Sequence, residues 1–264
     1  MQLVVMQNGM FKIIIVVLFV SFAGIAQEEE VESGVYTWAE LPTKESNQRV
    51  GRKIMEGTST HFSFLEIHAT TQQKGATPSP MHSQKNREEV IIVKEGLLKI
   101  TINGKTEFLP AESVVLIPPM AEQMLENAGD GPLTYYVMIF TSKKEMDLAR
   151  SEQAGGELFV NAEDLVFKEH EKGGRIDYFD RETAMCEKFE MHLTQLNEKG
   201  PSHEPHSHFT SEIVLVIEGQ TEMTIAGKTY SGTAGDLYLM KSNEVHAITN
   251  VGDTPCRYFA FSWQ

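Results

Sequence analysis

Val90-Ile91-Ile92-Val93-Lys94-Glu95-Gly96 recurs as Ile213-Val214-Leu215-Val216-Ile217-Glu218-Gly219, and this recurrence decides the fold. Two further pairs share its spacing. Asn103-Gly104-Lys105-Thr106 matches Ala226-Gly227-Lys228-Thr229, and Asn127-Ala128-Gly129-Asp130-Gly131-Pro132 matches Asn250-Val251-Gly252-Asp253-Thr254-Pro255. From 90 to 213, from 103 to 226 and from 127 to 250 the offset is the same 123 residues, so one unit is written twice in tandem. Two copies are too few for a solenoid, in which several stacked units share a continuous core, so each copy must form a domain of its own.

The unit reads as β. Runs rich in Val, Ile, Thr, Tyr and Phe alternate with Gly, Asn and Pro turns at short intervals, the pattern of sandwiches and barrels. Leu97–Ile102 followed by Asn103-Gly104 is a hairpin signal, and Glu222–Lys228 repeats the layout. Helical character is confined to Lys143–Gln153, read as a short linker helix, and Ala154-Gly155-Gly156 ends it. The expected division is a first domain over 35–145 and a second over 155–264.

The chain has 264 residues, 37 acidic and 23 basic, with a formal net charge of −14. That acidity argues against a nucleic-acid partner, which would need a basic face. Two cysteines exclude a multi-disulfide scaffold or a four-cysteine zinc module. Cys186 and Cys256 could form one bridge in an oxidising compartment, or stay as small buried thiols. At the N-terminus, Lys12 precedes an uncharged run from Ile13 to Ala26 that is short for a membrane span and ends in Gly24-Ile25-Ala26. Residues 1–26 therefore read as a signal peptide, starting at Met1 or Met10. The mature protein is expected to be periplasmic or secreted, with no membrane attachment after cleavage.

The second copy carries a ligand constellation. His206 and His208 are two residues apart and share a face in extended chain. Glu212 follows closely, and His246 lies in a later β segment. Three imidazoles and a carboxylate suit a divalent first-row metal, Fe, Mn, Ni, Co or Zn, and leave coordination positions open for water or substrate. Lone histidines such as His61, His170 and His203 are expected to be structural or solvated. His68 and His192 each sit in a Glu-x-His pattern one strand before the ligand segment, as neighbours of the site or simply as alternating barrel residues.

These residues resemble the cupin superfamily. Its first motif, G-x5-H-x-H-x3–4-E-x6-G, is filled by Gly200, His206, His208, Glu212 and Gly219. Its second, G-x5-P-x-G-x2-H-x3-N, is met at Gly235, His246 and Asn250, with Lys241 and Asn243 in place of Pro and Gly. The resemblance covers nearly all of the mature chain as a bicupin. It implies an all-β protein of two tandem jelly-roll barrels (double-stranded β-helices), with the metal held by His206, His208, Glu212 and His246 in the second. In the first copy His82 and Glu89 persist, but Gln84 and Gln123 stand where histidines belong. Those four positions form at most a vestigial second site, and the first barrel is expected to serve as scaffold, lid or dimerisation surface.

Two functional classes fit. One is a metalloenzyme acting on a small organic molecule, dioxygenase-like or a sugar isomerase or epimerase, with Glu204 and Tyr238 as candidate catalytic groups. The other is a non-catalytic, metal-dependent module that binds a sugar or other small molecule. Oxalate-decarboxylase-like chemistry is disfavoured, because bicupins of that kind generally keep ligands in both halves.

Overall fold

Strands whose residues alternate between two apolar environments organise the molecule. In Leu133–Ser142, Tyr135, Val137 and Ile139 face the interior of the first barrel, whereas Tyr136, Met138 and Phe140 join a second, larger core. Cys256–Trp263 divides in the same way, with Tyr258 and Ala260 inside the second barrel and Phe259, Phe261 and Trp263 in the larger core. Burial on both faces is why these strands read as nearly continuous hydrophobic runs. The computed structural model describes residues 29–264, so the signal-peptide reading of 1–26 lies outside the described residues.

Each half is an antiparallel barrel built from one seven-stranded sheet and one small sheet. In the first half the large sheet runs Leu158–Val160, Val114–Ile117, Glu88–Glu95, Leu133–Ser142, Phe62–Gln72, Arg49–Gly57, Thr43–Ser46. In the second it runs Gly34–Tyr36, Leu237–Met240, Ser211–Glu218, Cys256–Trp263, Phe189–Leu196, Gly173–Arg181, Lys168–His170. The small sheets are Lys105–Leu109, Leu98–Ile102, Gln123–Asn127 and Gly200–Pro201, His246–Asn250, Gln220–Ile225, Lys228–Thr233. The fold is all-β, two tandem barrels, and the helix Leu148–Gln153 lies between them, its first turn capped by the Asp147 carboxylate accepting from the Arg150 N–H at 2.9 Å.

The halves exchange edge strands. Gly34–Tyr36, from the start of the chain, pairs with Leu237–Met240 of the second barrel, and Leu158–Val160, which follows the linker helix, pairs with Val114–Ile117 of the first. Each exchanged strand covers an otherwise open edge. The two large sheets then pack face to face over a common core, where Phe62 stacks on Phe140 (centroids 4.6 Å) and on Trp263 (5.4 Å). A bidentate Arg257–Glu112 pair, 2.7 Å for each bond, adds a polar tie between the halves.

The repeated sequence elements have local physical roles. Asn103-Gly104 and Ala226-Gly227 adopt the same pair of positive φ angles, 49° and 84° against 48° and 82°, which suits a tight two-residue hairpin turn. A Cβ on Gly96 would lie 2.4 Å from the Pro132 carbonyl, and one on Gly219 would lie 2.7 Å from the Cys256 backbone, so the motif glycine is needed for close approach. Asn127 and Asn250 each donate to carbonyls across the following turn, Gly131 O at 2.9 Å and Thr254 O at 3.1 Å, and each accepts the N–H two residues on.

The two cysteines are free and buried, so the possible bridge is not present. Leu196 pairs with Cys256 and Phe189 with Trp263. Cys186 lies beyond the Phe189 end, which is on the order of 24 Å along the strand from Leu196, the partner of Cys256, at ~3.4 Å per residue.

One buried carboxyl joins the halves. Glu88 of the first barrel accepts from the Thr183 hydroxyl (2.6 Å) and the Met185 N–H (3.1 Å) of the second. Burial pushes its pKa up to about 7, and those hydrogen bonds offset burial only in part. The folded state thus holds this proton more tightly than the unfolded chain, and the stability it contributes is complete below the ordinary carboxylate range and is lost as pH rises through about 7. Glu88→Gln is expected to match wild type near ~pH 4 and to be more stable near ~pH 8 in urea unfolding; parallel pH profiles would contradict this. Trp263→Ala is expected to cost about 3–5 kcal/mol and to keep a single unfolding transition, because the core it leaves is shared by both barrels. Two separated transitions in wild type would contradict the shared core.

Candidate functional site

The second barrel encloses a cavity of about 700 Å³. Its wall follows strand alternation, with Glu190, His192 and Thr194 on one strand, Tyr258, Ala260 and Ser262 on the next, and Glu212 and Val214 on the third. The pairing places Glu212 opposite Ser262 and Ser262 opposite Glu190, so these residues form one row across the cavity.

The loop after Gly200–Pro201 brings His206 and His208 to this wall. The His206 N–H donates to the His246 carbonyl (3.1 Å) and the His246 N–H to the His206 carbonyl (2.9 Å), an antiparallel bridge that fixes the two imidazoles side by side. One ring nitrogen from each of His206, His208 and His246 lies within 4.8 Å of the other two. The Glu212 carboxylate approaches the same point, 2.8 Å from His208 Nε2 and 3.6 Å from His246 Nε2.

Hydrogen bonding assigns the ring nitrogens. His246 Nδ1 donates to the Glu244 carbonyl at 2.8 Å and His208 Nδ1 to the Thr210 carbonyl at 2.9 Å, which leaves Nε2 of each ring for the cluster. His246 is 4% exposed, and its Nε2 has no hydrogen-bond partner. A buried nitrogen left unpaired costs stability unless something occupies it. Metal-binding imidazoles are oriented in this way, with the remote nitrogen tied to a carbonyl. The donor set fits a divalent first-row ion, with His206, His208 and His246 as nitrogen ligands and Glu212 as the adjoining oxygen.

The electrostatics are consistent with this geometry. Burial pushes the Glu212 carboxyl up, but the hydrogen bond from His208 and the nearby His246 together outweigh it and bring the pKa to about 2. The bond to Glu212 raises the His208 pKa. Burial, with the neighbouring imidazoles, lowers that of His206.

Two sequence candidates lie elsewhere. Tyr238 is fully buried in the barrel core, its hydroxyl tied to Thr221 and its pKa pushed up by burial to about 12, and it does not line the cavity. Of the two alternating pairs on Leu237–Met240, Tyr238 and Met240 face the core of the second barrel, and neither reaches the cavity lining. Glu204 is an exposed loop residue outside the lining. Conversely, His170 and His203, expected to be bystanders, are at the cavity mouth. His192 is on the wall, with Nδ1 2.7 Å from Glu190 Oε1, and Arg175 Nη2 donates to the same oxygen at 2.6 Å. The Glu-x-His spacing was the sequence signal for this pair. His61 of the first barrel also takes part indirectly, since its Nε2 lies 3.0 Å from the Phe209 carbonyl beside His208 and the two rings meet edge to face.

In the first barrel a smaller cavity of about 260 Å³ holds the corresponding positions. His82 and Gln123 form the same backbone bridge as His206 and His246, and Gln84 and Glu89 share the lining. Backbone geometry is retained there, while two imidazoles are replaced by amides.

Two strand-exchanged β-barrels, one with a histidine cluster inside, define the class of protein. The cupin-domain family model matches residues 69–140 and again 192–262, and the chain belongs to the cupin family as a two-barrel member. Similar solved structures include protein YlbA from E. coli (15% identity, TM-score 0.68, covering 87% of this chain and 90% of that one). The oxalate decarboxylase of Lactobacillus farciminis in its formate complex is 13% identical, with TM-score 0.67 and coverage of 89% and 87%. AerE from Microcystis aeruginosa is 11% identical, with TM-score 0.66 and coverage of 85% and 97%. These likenesses are of fold. The comparison with curated proteins found no match.

Protein purified without chelator and analysed by inductively coupled plasma mass spectrometry is expected to carry about one metal ion per chain. His206→Ala with His246→Ala should abolish it, and Gln123→Leu should leave it. Because ligation needs neutral imidazoles, metal should be released progressively as the solution is acidified. Full metal content in the double variant would contradict the constellation.

Proposed function

We propose that the second barrel is a metal-dependent enzyme site that transfers a proton within a small organic molecule, the isomerase-like member of the cupin activities. The observation that carries this reading is a histidine cluster with one unpaired buried nitrogen, on the wall of a cavity that also presents an oriented imidazole. A divalent ion held by His206, His208, Glu212 and His246 would supply Lewis-acid polarisation of a substrate oxygen.

The chain's own residues do the rest. Glu190 accepts from His192 Nδ1, which leaves Nε2 of His192 as the nitrogen free to take a proton from a carbon beside the polarised carbonyl and return it to the neighbouring atom. Arg175, bonded to both Asp177 and Glu190, fixes the carboxylate that orients the ring. Val214, Met223 and Ile248 give the cavity an apolar side that keeps bulk water from the reacting carbon. The N-terminal run 1–26 supports export, and mass spectrometry of the mature protein should find Gln27 first.

Proton exchange in D2O, followed by NMR over a panel of hydroxyaldehydes, keto acids and sugars, tests the reaction class. Wild type is expected to wash deuterium into at least one substrate. His192→Gln should slow this by about two orders of magnitude or more with unchanged metal content, the scale of a lost general base. Stoichiometric oxygen consumption by the panel, unaffected by His192→Gln, would instead favour dioxygenase chemistry. Tight sugar binding without any turnover would favour the non-catalytic module.

A further inference from the structure

The cavity of the first barrel is lined by an arginine and a buried carboxyl that form no ion pair among the described residues. Arg49 and Glu89 are the only Arg, Lys, Asp or Glu residues in its lining, and no ion pair joins Arg49 or Glu89 to any other group among the described residues. Glu89 is 5% exposed and Gln123 is 1% exposed, and Oε1 of each is buried without a hydrogen-bond partner. Two buried acceptors left unpaired in one cavity are costly, and an amide oxygen is a poor partner for the metals that suit three imidazoles. A group with several N–H donors and a positive charge meets both needs, and a primary ammonium is the smallest organic one.

Arg49 sets the other end of the ligand. Its guanidinium gives one bond to the Thr77 carbonyl and retains further donors, whose natural partner is a carboxylate. Four aliphatic residues, Ile91, Leu125, Val137 and Ile139, share the lining with polar ones such as Thr70 and Tyr135, and the volume of about 260 Å³ admits only a small molecule.

We infer that the first barrel is a binding site for a small amino acid, with its ammonium against Glu89 and Gln123 and its carboxylate toward Arg49. Replacement of imidazoles by glutamines in this half then changes the ligand from a metal ion to an organic zwitterion, on the same backbone bridge. The inference is independent of the reaction proposed for the second barrel.

Isothermal titration calorimetry of the full chain with glycine, L-alanine, β-alanine and γ-aminobutyrate tests it, with propylamine and propionate as the separate halves. At least one zwitterion is expected to bind with one site per chain, about tenfold or more tighter than either half. Glu89→Gln and Arg49→Gln should each weaken that binding by about tenfold or more, while His206→Ala should leave it unchanged. Glu89→Gln is isosteric and Arg49 lies at the rim, so unaltered thermal unfolding of both variants will separate lost binding from lost fold. No heat with any zwitterion, binding indifferent to both substitutions, or loss of binding in His206→Ala would overturn the assignment. So would a second Mn2+ or Zn2+ per chain that Glu89→Gln removes.

Discussion

Phe62 stacked on Trp263 is the contact on which the rest of the arrangement rests. It lies where the two large sheets meet, and it turns two barrels into one packed object with a common core. The exchanged strands Gly34–Tyr36 and Leu158–Val160 reinforce the same junction, because each barrel lends the other an edge. This coupling reaches the site. His61, next to Phe62, contacts the Phe209 carbonyl, so the loop bearing His206 and His208 is braced by the barrel that does not contribute ligands to it.

The duplication separates backbone from chemistry. Both halves keep the hairpin turns, the close-approach glycines, the turn-pinning asparagines and the bridge between the ligand loop and the penultimate strand. They differ in a few side chains. Where the second barrel has three imidazoles around a carboxylate, the first has one imidazole, two amides and the carboxylate, with oxygens left unpaired. Glu66–His68 repeats Glu190–His192 with the same contact, 2.9 Å against 2.7 Å, so the oriented wall histidine is also part of the duplicated design.

Much of this was legible in the sequence, because repeats and motif spacings report local geometry directly. The constant offset gave two domains, and the spacing of His206, His208, Glu212 and His246 gave the residues that converge. Features that depend on three-dimensional partners were not legible. Gly34–Tyr36 and Leu158–Val160 are too short to show periodicity, and their pairing follows from which edge they reach. Alternation along Leu237–Met240 does not settle which pair faces inward, and the structure buries Tyr238 in the barrel core, outside the cavity lining. Cys256 opens the strand Cys256–Trp263, whereas Cys186, expected on an early strand of the same barrel, lies outside any strand, before Phe189–Leu196 at the far end of that pairing. Spacing raised Glu190–His192 as a pair; only the structure distinguishes an oriented cavity imidazole from ordinary barrel alternation.

The central claim is that the second barrel alone holds a metal, at one cluster. The most direct measurement is anomalous X-ray diffraction at the metal absorption edge, on crystals of protein purified without chelator. A single anomalous peak per chain is expected, among His206, His208 and His246 and beside Glu212, with none between His82 and Gln123. A peak in both barrels, or none in the second, would contradict it.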